Sequence, residues 1–388
     1  LMGCVLPAGL GQAPARQATL GADLPLSVGA TTVNKVCGSG MKTVMLAHDL
    51  IKAGSADVVI AGGMESMSQA PYLLDKARGG MRMGHGKVLD HMFLDGLEDA
   101  YTGGAMGTFA QKTADDFGIT REAMDNFALS SLQKANAAIE SGAFKEEIVP
   151  VTVASRKGDL VVDTDEQPGR GMPDKIPTLR PAFAKDGTIT AATSSSISDG
   201  AAAVVLTRES VAKQNGQHPV AKIVALAAHA QEPKDFTVAP VGAIKKVLER
   251  AGWSTDDVDL WEVNEAFACV AMFAMRDIGI PHEKINVNCG ATALGHPIGA
   301  SGTRIIVTLL NALEKRGLSR GVAAICIAFG SGSTGSGSGT GGAVAGVSAP
   351  VADVLTEMRN PVIGSRAFGS DPAAVRRQVV AAVTGYLE

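Results

Sequence analysis

The segment that decides the fold is Thr32-Val33-Asn34-Lys35-Val36-Cys37-Gly38-Ser39-Gly40. Its β-branched residues predict a short strand, and apolar residues at helical spacing follow over residues 41–53. Residues 57–63 are an apolar run that ends in two glycines, which indicates a buried strand. A strand, a turn, a helix and a second strand in this order predict one unit of a doubly wound α/β sheet.

Cys37 lies at the predicted turn between strand and helix. A helix N-terminus presents unpaired N–H groups and a positive dipole end, which favour a thiolate and so a nucleophile. Gly38 and Gly40 would let a substrate approach the sulfur closely. The alternative is a buried structural cysteine, the commoner role of cysteine in an apolar sequence. Position alone does not decide between the two.

The rest of the chain continues the α/β alternation, interrupted by a polar, irregular stretch with one helical pair at 106–117 and 121–142. A strand is also predicted near residues 285–288. The predicted organisation is a first half at 1–65 and 191–208, an inserted loop domain at 66–190, a second half at 209–329, a Gly/Ser linker at 330–342, and a separate C-terminal fragment at 343–388.

Composition excludes several classes of protein. Of the 388 residues, 46% are hydrophobic, so a large core can form. The net charge is −4 and the sequence has no stripe of basic residues, so we expect no nucleic-acid binding. The sequence contains no run of 18 or more apolar residues, so we expect no membrane span. The five cysteines show no metal-type spacing, so we expect no metal site. Their odd number, without a signal peptide, favours reduced thiols and a cytoplasmic location.

Four blocks in a fixed order resemble the thiolase family, and the resemblance covers roughly residues 1–330. The first block consists of the Cys37 segment and, after it, Ala61-Gly62-Gly63-Met64-Glu65-Ser66-Met67-Ser68. The fourth block is the end of the predicted strand at Cys326. The second and third blocks are Val263-Asn264-Glu265-Ala266-Phe267-Ala268 and Ala293-Leu294-Gly295-His296-Pro297-Ile298-Gly299-Ala300-Ser301-Gly302.

This resemblance implies an α/β fold of two similar βαβ halves in an α-β-α-β-α arrangement, with an inserted loop domain. It implies an acyl-CoA C-acyltransferase that forms or cleaves 3-ketoacyl-CoA through an acyl-cysteine intermediate. No cofactor is implied, because coenzyme A thioesters are the substrates and free coenzyme A is the other partner. It also implies a homodimer or a homotetramer.

The resemblance assigns roles to individual residues. Cys37 is the nucleophile, His296 accepts its proton, Cys326 removes a proton from the second acyl-CoA, and Asn264 holds a water at the developing oxyanion. Without the resemblance, His296 and Cys326 would each be read as structural. Ser195 matches a serine beside the pantetheine arm of coenzyme A.

Arg170 is a candidate contact for the phosphates or the adenine of coenzyme A, with a solvated surface arginine as the alternative.

Some features depart from the family. The comparison implies that the chain is incomplete at both ends, lacking an N-terminal strand–helix segment and a final strand, the latter replaced by the Gly/Ser linker. Ala328-Phe329 stands where the family has glycines, and Ala105 precedes Met106-Gly107 where many acetyl-CoA thiolases have histidine. The alternative function is therefore a catalytically impaired chimera that at most binds coenzyme A or oligomerises.

The C-terminal fragment has a different resemblance. Residues 343–388 resemble one βα piece of glycoside hydrolase family 3, and Asp353 and Arg366 match sugar-contacting positions there. A single piece cannot close the barrel of that family, and neither a nucleophile nor an acid is present. We expect no glycosidase activity.

Overall fold

In the described residues, a computed structural model of the chain shows two four-stranded sheets, two two-stranded sheets, and helices between and around them. The structure describes residues 1–217 and 219–327, and the backbone of residues 339–348. The strands are β1 (Met2–Gly3), β2 (Thr32–Val33), β3 (Val58–Ser66), β4 (Tyr72–Leu73), β5 (Leu89–Asp90), β6 (Val151–Val153), β7 (Leu160–Val162), β8 (Asp199–Thr207), β9 (Lys222–Gln231), β10 (Leu260–Val263), β11 (Arg320–Ile327) and β12 (Gly339–Ser348). The helices are α1 (Pro14–Gly21), α2 (Ser39–Lys52), α3 (Met106–Asp116), α4 (Arg121–Glu140), α5 (Glu166–Arg170), α6 (Glu209–Gln214), α7 (Ala239–Ala251), α8 (Ala268–Ile278), α9 (Ala291–Leu294) and α10 (Ser301–Arg316).

The first sheet contains the predicted strand–turn–helix–strand unit. Its strand order is β2-β1-β3-β8, with β1 parallel to both β2 and β3. β8 runs antiparallel to β3, from the pair Val58 and Thr207 to the pair Ser66 and Asp199. The β-branched and small residues of β3 suit this inner position, because the strand has a partner on each side.

The second sheet corrects one expectation. Its order is β10-β11-β12-β9, so a strand begins inside the segment predicted as a linker and extends into the predicted C-terminal fragment. β12 pairs antiparallel with both neighbours, opposing Thr340 to Ile327 of β11 and Gly339 to Gln231 of β9. The expectation that a linker replaces a final strand was therefore wrong at residues 339–348.

The physical reason for a strand at residues 339–348 is that the backbone groups of the neighbouring strands need hydrogen-bond partners. Without β12, both β9 and β11 would present unpaired N–H and C=O groups along one edge. An extended backbone satisfies those groups whatever its side chains are, so a weak strand composition is overridden. Residues 328–338 and 349–388, which include Ala328-Phe329, Asp353 and Arg366, lie outside the described part of the chain.

The helices complete a five-layer arrangement. α2 and α10 lie between the two sheets and pack on each other, α2 against β3 and α10 against β8, β10 and β11. α1 contacts β1 and β2 on the outer side of the first sheet, and α7 contacts β9 and β12 on the outer side of the second. The predicted α-β-α-β-α layering is confirmed.

The two central helices come together through glycines. A Cβ atom on Gly302 of α10 would overlap the backbone nitrogen of Met41 in α2. A Cβ atom on Gly40 would lie 2.8 Å from Thr303 Oγ1, and this hydroxyl donates a hydrogen bond to the Gly40 carbonyl at 2.8 Å. The backbones of the two helices therefore approach each other closely where each helix begins.

Two further predictions, a strand near residues 285–288 and a helical pair in the inserted domain, have different outcomes. The strand expected near residues 285–288 is wrong, because only an isolated bridge joins Ile285 to Trp261. Asn286 has a φ of +46°, which ends the extended conformation there. The inserted helical pair is confirmed as α3 and α4, and Thr120 Oγ1 accepts a hydrogen bond from Ala123 N at the start of α4. No helix in the described residues is long and apolar enough to cross a membrane.

Candidate active site

The turn that holds Cys37 is fixed by local hydrogen bonds. Val36 has a φ of +45°, a left-handed conformation that is strained for a β-branched residue. Asn34 Oδ1 accepts from Val36 N at 2.9 Å, and Ser39 Oγ accepts from Lys35 N at 2.8 Å and donates to Val36 O at 2.6 Å. These bonds hold a strained backbone directly before Cys37, which is 5% exposed at the N-terminal end of α2.

The end of β11 lies against this turn. A Cβ atom on Gly38 would come within 2.5 Å of Ile327 Cδ1, so a larger residue here would displace the Ile327 side chain. Cys326, the preceding residue, is fully buried. Burial raises the pKa of the Cys326 thiol well above its usual range, and the neighbouring Cys37 and Cys269 raise it further. The structure therefore brings the two predicted active cysteines together where the halves meet.

His296 lies on the connection between α9 and α10 and is 5% exposed. Its backbone N–H donates to Ser196 O at 3.2 Å. Its Nδ1 lies 2.6 Å from Ser301 Oγ, and its Nε2 lies 3.5 Å from Asn264 Nδ2. Burial, followed by the positive charge of Arg304, lowers the pKa of His296 to about 3. The imidazole is therefore neutral at physiological pH and can accept a proton.

Asn264 follows β10 and is held from both sides. Its backbone N–H donates to Ala324 O at 2.9 Å, which ties it to β11. Its side-chain Oδ1 is buried and has no hydrogen-bond partner among the described residues. A buried acceptor without a partner is costly, so this oxygen is available to a water or to a donor on a ligand.

Glu265 anchors the same loop, and sequence reasoning gave it no role. Its carboxylate accepts from Asn286 Nδ2 at 2.7 Å, from Ser131 Oγ at 2.9 Å and from Thr292 Oγ1 at 2.6 Å. These partners come from α4 of the inserted domain, from the segment before α9 and from α9 itself. The available signal was an acidic residue next to an apolar strand, which needs partners when buried.

Cys269 is a third thiol that sequence reasoning left without a role. It lies at the start of α8 and is fully buried. Burial raises its pKa to about 12, so it is protonated at physiological pH. It influences Cys326 but belongs to a helix whose other buried residues form the apolar core.

The two predicted substrate contacts lie in different surroundings. Ser195 is half-buried beside the Asn264 loop, since its N–H and its hydroxyl both donate to Ala266 O at 3.0 Å. Arg170 is exposed at the end of α5, and its Nη2 donates to Glu166 at 2.8 Å on the same short helix. The structure therefore places Ser195 beside the Asn264 loop and Arg170 on the surface. In the described ranges, no group of His, Cys, Asp and Glu is arranged to hold a metal ion.

Comparison with known families and proteins shows which family this chain belongs to. The thiolase N-terminal domain matches residues 1–210, and the thiolase C-terminal domain matches residues 217–336. An acetyl-CoA acetyltransferase of Escherichia coli is 51% identical over 334 residues, which cover 86% of this chain and 85% of the relative. Acetyl-CoA acetyltransferase 2 of Arabidopsis thaliana is 50% identical over 336 residues, 86% of this chain and 83% of the relative.

Solved structures give the same result. The Acat5 thiolase of Ascaris suum, determined in complex with coenzyme A, superposes with a TM-score of 0.82 at 41% identity and covers 90% of this chain and 86% of its own. The acetyl-CoA acetyltransferase of Syntrophomonas wolfei gives a TM-score of 0.83 at 40% identity, with 89% and 86% covered. With both domains matched and relatives at about half identity, the chain belongs to the thiolase family.

Proposed function

We propose that the chain is an acyl-CoA C-acyltransferase that forms or cleaves 3-ketoacyl-CoA through an acyl group on Cys37. The observation that supports this best is that two neighbouring pairs, Cys37 with Cys326 and His296 with Asn264, lie along β11, to which Asn264 is bonded through Ala324. The curated relatives named above are acetyl-CoA acetyltransferases, and the Ascaris suum structure contains coenzyme A. Both facts favour acetyl-CoA and coenzyme A as partners of this chain.

The first half-reaction is acyl transfer to Cys37. His296 Nε2 accepts the thiol proton, and the thiolate attacks the thioester carbonyl of acetyl-CoA. The C–S bond to coenzyme A breaks as the new C–S bond to Cys37 forms, and the coenzyme A sulfur leaves with the proton from His296. The neutral imidazole suits both directions of this transfer, because it is free to accept a proton at physiological pH.

The second half-reaction makes the carbon–carbon bond. Cys326 gives its thiol proton to His296 Nε2 and, as thiolate, removes a proton from the α-carbon of a second acetyl-CoA, so that negative charge develops on the thioester oxygen. A water held by Asn264 Oδ1 and the Nε2–H of the now protonated His296 stabilise that oxygen. The α-carbon then attacks the acyl carbonyl on Cys37, the C–S bond to Cys37 breaks as the Cys37 sulfur regains a proton from His296, and 3-ketoacyl-CoA is released. Cleavage is the same sequence in reverse.

Binding of coenzyme A is proposed to involve Ser195 beside the pantetheine arm. This position is supported by its hydrogen bonds to Ala266 in the Asn264 loop. Arg170 stays a candidate for the phosphates, and its exposure leaves it accessible to them. No cofactor besides these thioester substrates is expected.

The direct test is mass spectrometry of the intact protein after incubation with acetyl-CoA. The wild type should gain one acetyl group, and Cys37→Ala should gain none. Cys289→Ala, which removes a buried cysteine on the approach to α9, should be acetylated like the wild type. Acetylation of the Cys37→Ala variant would disprove the assignment.

A thiolysis assay separates the enzyme from the impaired alternative. With acetoacetyl-CoA and coenzyme A, the enzyme should release acetyl-CoA over many turnovers, whereas an impaired chimera would at most bind coenzyme A. We also propose a homodimer or a homotetramer located in the cytoplasm. Light scattering should then give twice or four times the chain mass of 39.7 kDa.

A further inference from the structure

Ser301 is the first residue of α10 and is fully buried beside His296. Its Oγ lies 2.6 Å from His296 Nδ1 and 2.9 Å from the carbonyl oxygen of Pro297. The second contact is the bond that serine often makes to the carbonyl four residues earlier. Ser301 therefore has two partners, and a hydroxyl has only one hydrogen to share between them.

The two contacts assign that hydrogen. The Pro297 carbonyl can only accept, so the Ser301 hydroxyl hydrogen points to it. Ser301 Oγ is then the acceptor for His296 Nδ1, and Nδ1 must be protonated. On the other side of the ring, Nε2 lies 3.5 Å from Asn264 Nδ2, which can only donate. Nε2 is therefore the unprotonated nitrogen, and both sides of the ring give the same tautomer.

We propose that Ser301 is a positioning residue that fixes His296 as the Nδ1–H tautomer, so that Nε2 faces the reacting thiol as the base. This inference rests on the roles proposed above for Cys37 and His296. Ser301 would touch neither the substrate nor the reacting atoms. It acts through the imidazole, in the way that the partner of a histidine sets which ring nitrogen is basic.

The surroundings hold the ring in place for this bond. A Cβ atom on Gly295, whose φ is +95°, would overlap Ser198 Oγ, so the loop before His296 is pressed against residues 196–198. Arg304 is the charged group that acts on the ring, and the titratable Cys37 and Cys269 act on the neighbouring Cys326. Arg304 disfavours the imidazolium, whereas the hydrogen bond from Nδ1 to Ser301 is kept when Nε2 gains the Cys37 proton.

The test compares Ser301→Ala with the wild type in two measurements. Single-turnover acetylation of Cys37 should slow by about 10- to 100-fold, the usual effect of losing a group that orients a histidine ligand, while the KM for acetyl-CoA changes little. The rate of Cys37 alkylation by iodoacetamide should reach its midpoint about one pH unit higher, which corresponds to about tenfold less thiolate at a given pH.

Matched variants separate this role from a structural one. Thr308→Ala removes another buried hydroxyl from α10, one that donates to Glu147 Oε1 at 2.8 Å, and should leave both measurements unchanged. Ser301→Thr keeps the hydroxyl and should resemble the wild type. Ser301→Val has the shape of threonine without the hydroxyl and should resemble Ser301→Ala. This pair answers the question even where Ser301→Ala fails to fold.

The outcomes are distinct. Acetylation rates and alkylation profiles of Ser301→Ala and Ser301→Val that equal those of Thr308→Ala would overturn the role of Ser301. In that case, acetylation of the wild type at Cys37 would leave the proposed function intact. A wild type that is not acetylated at Cys37 would overturn the proposed function itself.

Discussion

Cys326 is enclosed more completely than any other group proposed to take part in the reaction, and this separates its role from that of Cys37. We predict that Cys326→Ala still becomes acetylated at Cys37, because acyl transfer needs only Cys37 and His296. Formation of acetoacetyl-CoA should fall by about 10²- to 10⁴-fold, the usual contribution of a general base. Mass spectrometry of the acyl-enzyme and a spectrophotometric assay of the product measure the two steps separately.

The control for this prediction is Cys269→Ala, which removes the neighbouring thiol that we place in the core of α8. It should keep both acetylation and condensation. Equal loss of condensation in the two variants would contradict the assignment of Cys326 as the base.

Glu262 gives a prediction about pH. It is a buried residue of β10, its Oε1 has no hydrogen-bond partner within the described ranges, and burial raises its pKa from 4.5 to about 8. Because the folded protein holds this proton more tightly than the unfolded chain, the contribution of Glu262 is fully present below pH 4.5. It is lost as the pH rises to about 8, by at most about 1.4 kcal/mol per pH unit.

Glu262→Gln stays neutral, so it should unfold at a higher urea concentration than the wild type at pH 8.5. The difference should shrink or reverse at pH 5, where the wild-type carboxyl is also neutral. Glu314→Gln, on the exposed face of α10, should follow the wild type at both values. A wild type and a Glu262→Gln variant with the same dependence on pH would show that the carboxylate is stabilised in the folded state.

At the scale of single residues, the sequence pointed more clearly to the residues proposed to react than to the residues that support them. Cys37, Asn264, His296 and Cys326 stand in recognisable blocks, so their proximity could be predicted. The bond from His296 to Ser301 and the contacts of Glu265 depend on how loops cross in space. No spacing in the sequence contains that information.

Between elements, the tightest contact is the crossing of α2 and α10 in the central layer. We predict that Gly302→Ala lowers the free energy of unfolding by about 1–3 kcal/mol, the usual cost of overpacking. The added methyl group would meet the backbone of Met41, which cannot rotate away as a side chain could. Urea unfolding followed by circular dichroism measures the change.

Gly169→Ala is the matched control, because a Cβ atom there meets no other atom within 4 Å. It should change the unfolding midpoint little. A Gly302→Ala variant as stable as Gly169→Ala would mean that the two helices can move apart at no cost.

The elements that could be predicted are those whose own residues determine them. α2 and β3 have clear helical and apolar patterns, and both form close to the predicted bounds. β12 could not be predicted, since its composition resembles a flexible coil and only the open edges of β9 and β11 favour a strand there. The same reasoning applies at Ile285, where a strand-like pattern is broken by the left-handed backbone of Asn286.

The whole molecule is predicted to unfold as one unit. Each half contributes one helix to the central layer, and the bond from Thr303 to the Gly40 carbonyl joins the halves beside Cys37. Neither half can lose its structure while the other keeps its core covered. Calorimetry should show a single transition, and acetylation of Cys37 should disappear over the same temperature range; two separate transitions would contradict this coupling.

The position of β12 also has a consequence for folding of the chain during its synthesis on the ribosome. β9 and β11 are complete after residue 327, but they are not neighbours, because the strand between them starts at residue 339. Until translation has passed residue 348, the emerging chain holds two strands with open edges, which are the surfaces that aggregate most readily. A nascent chain of this protein should therefore need chaperones late in synthesis, and a ribosome that stalls before β12 should release a polypeptide that degrades rather than folds.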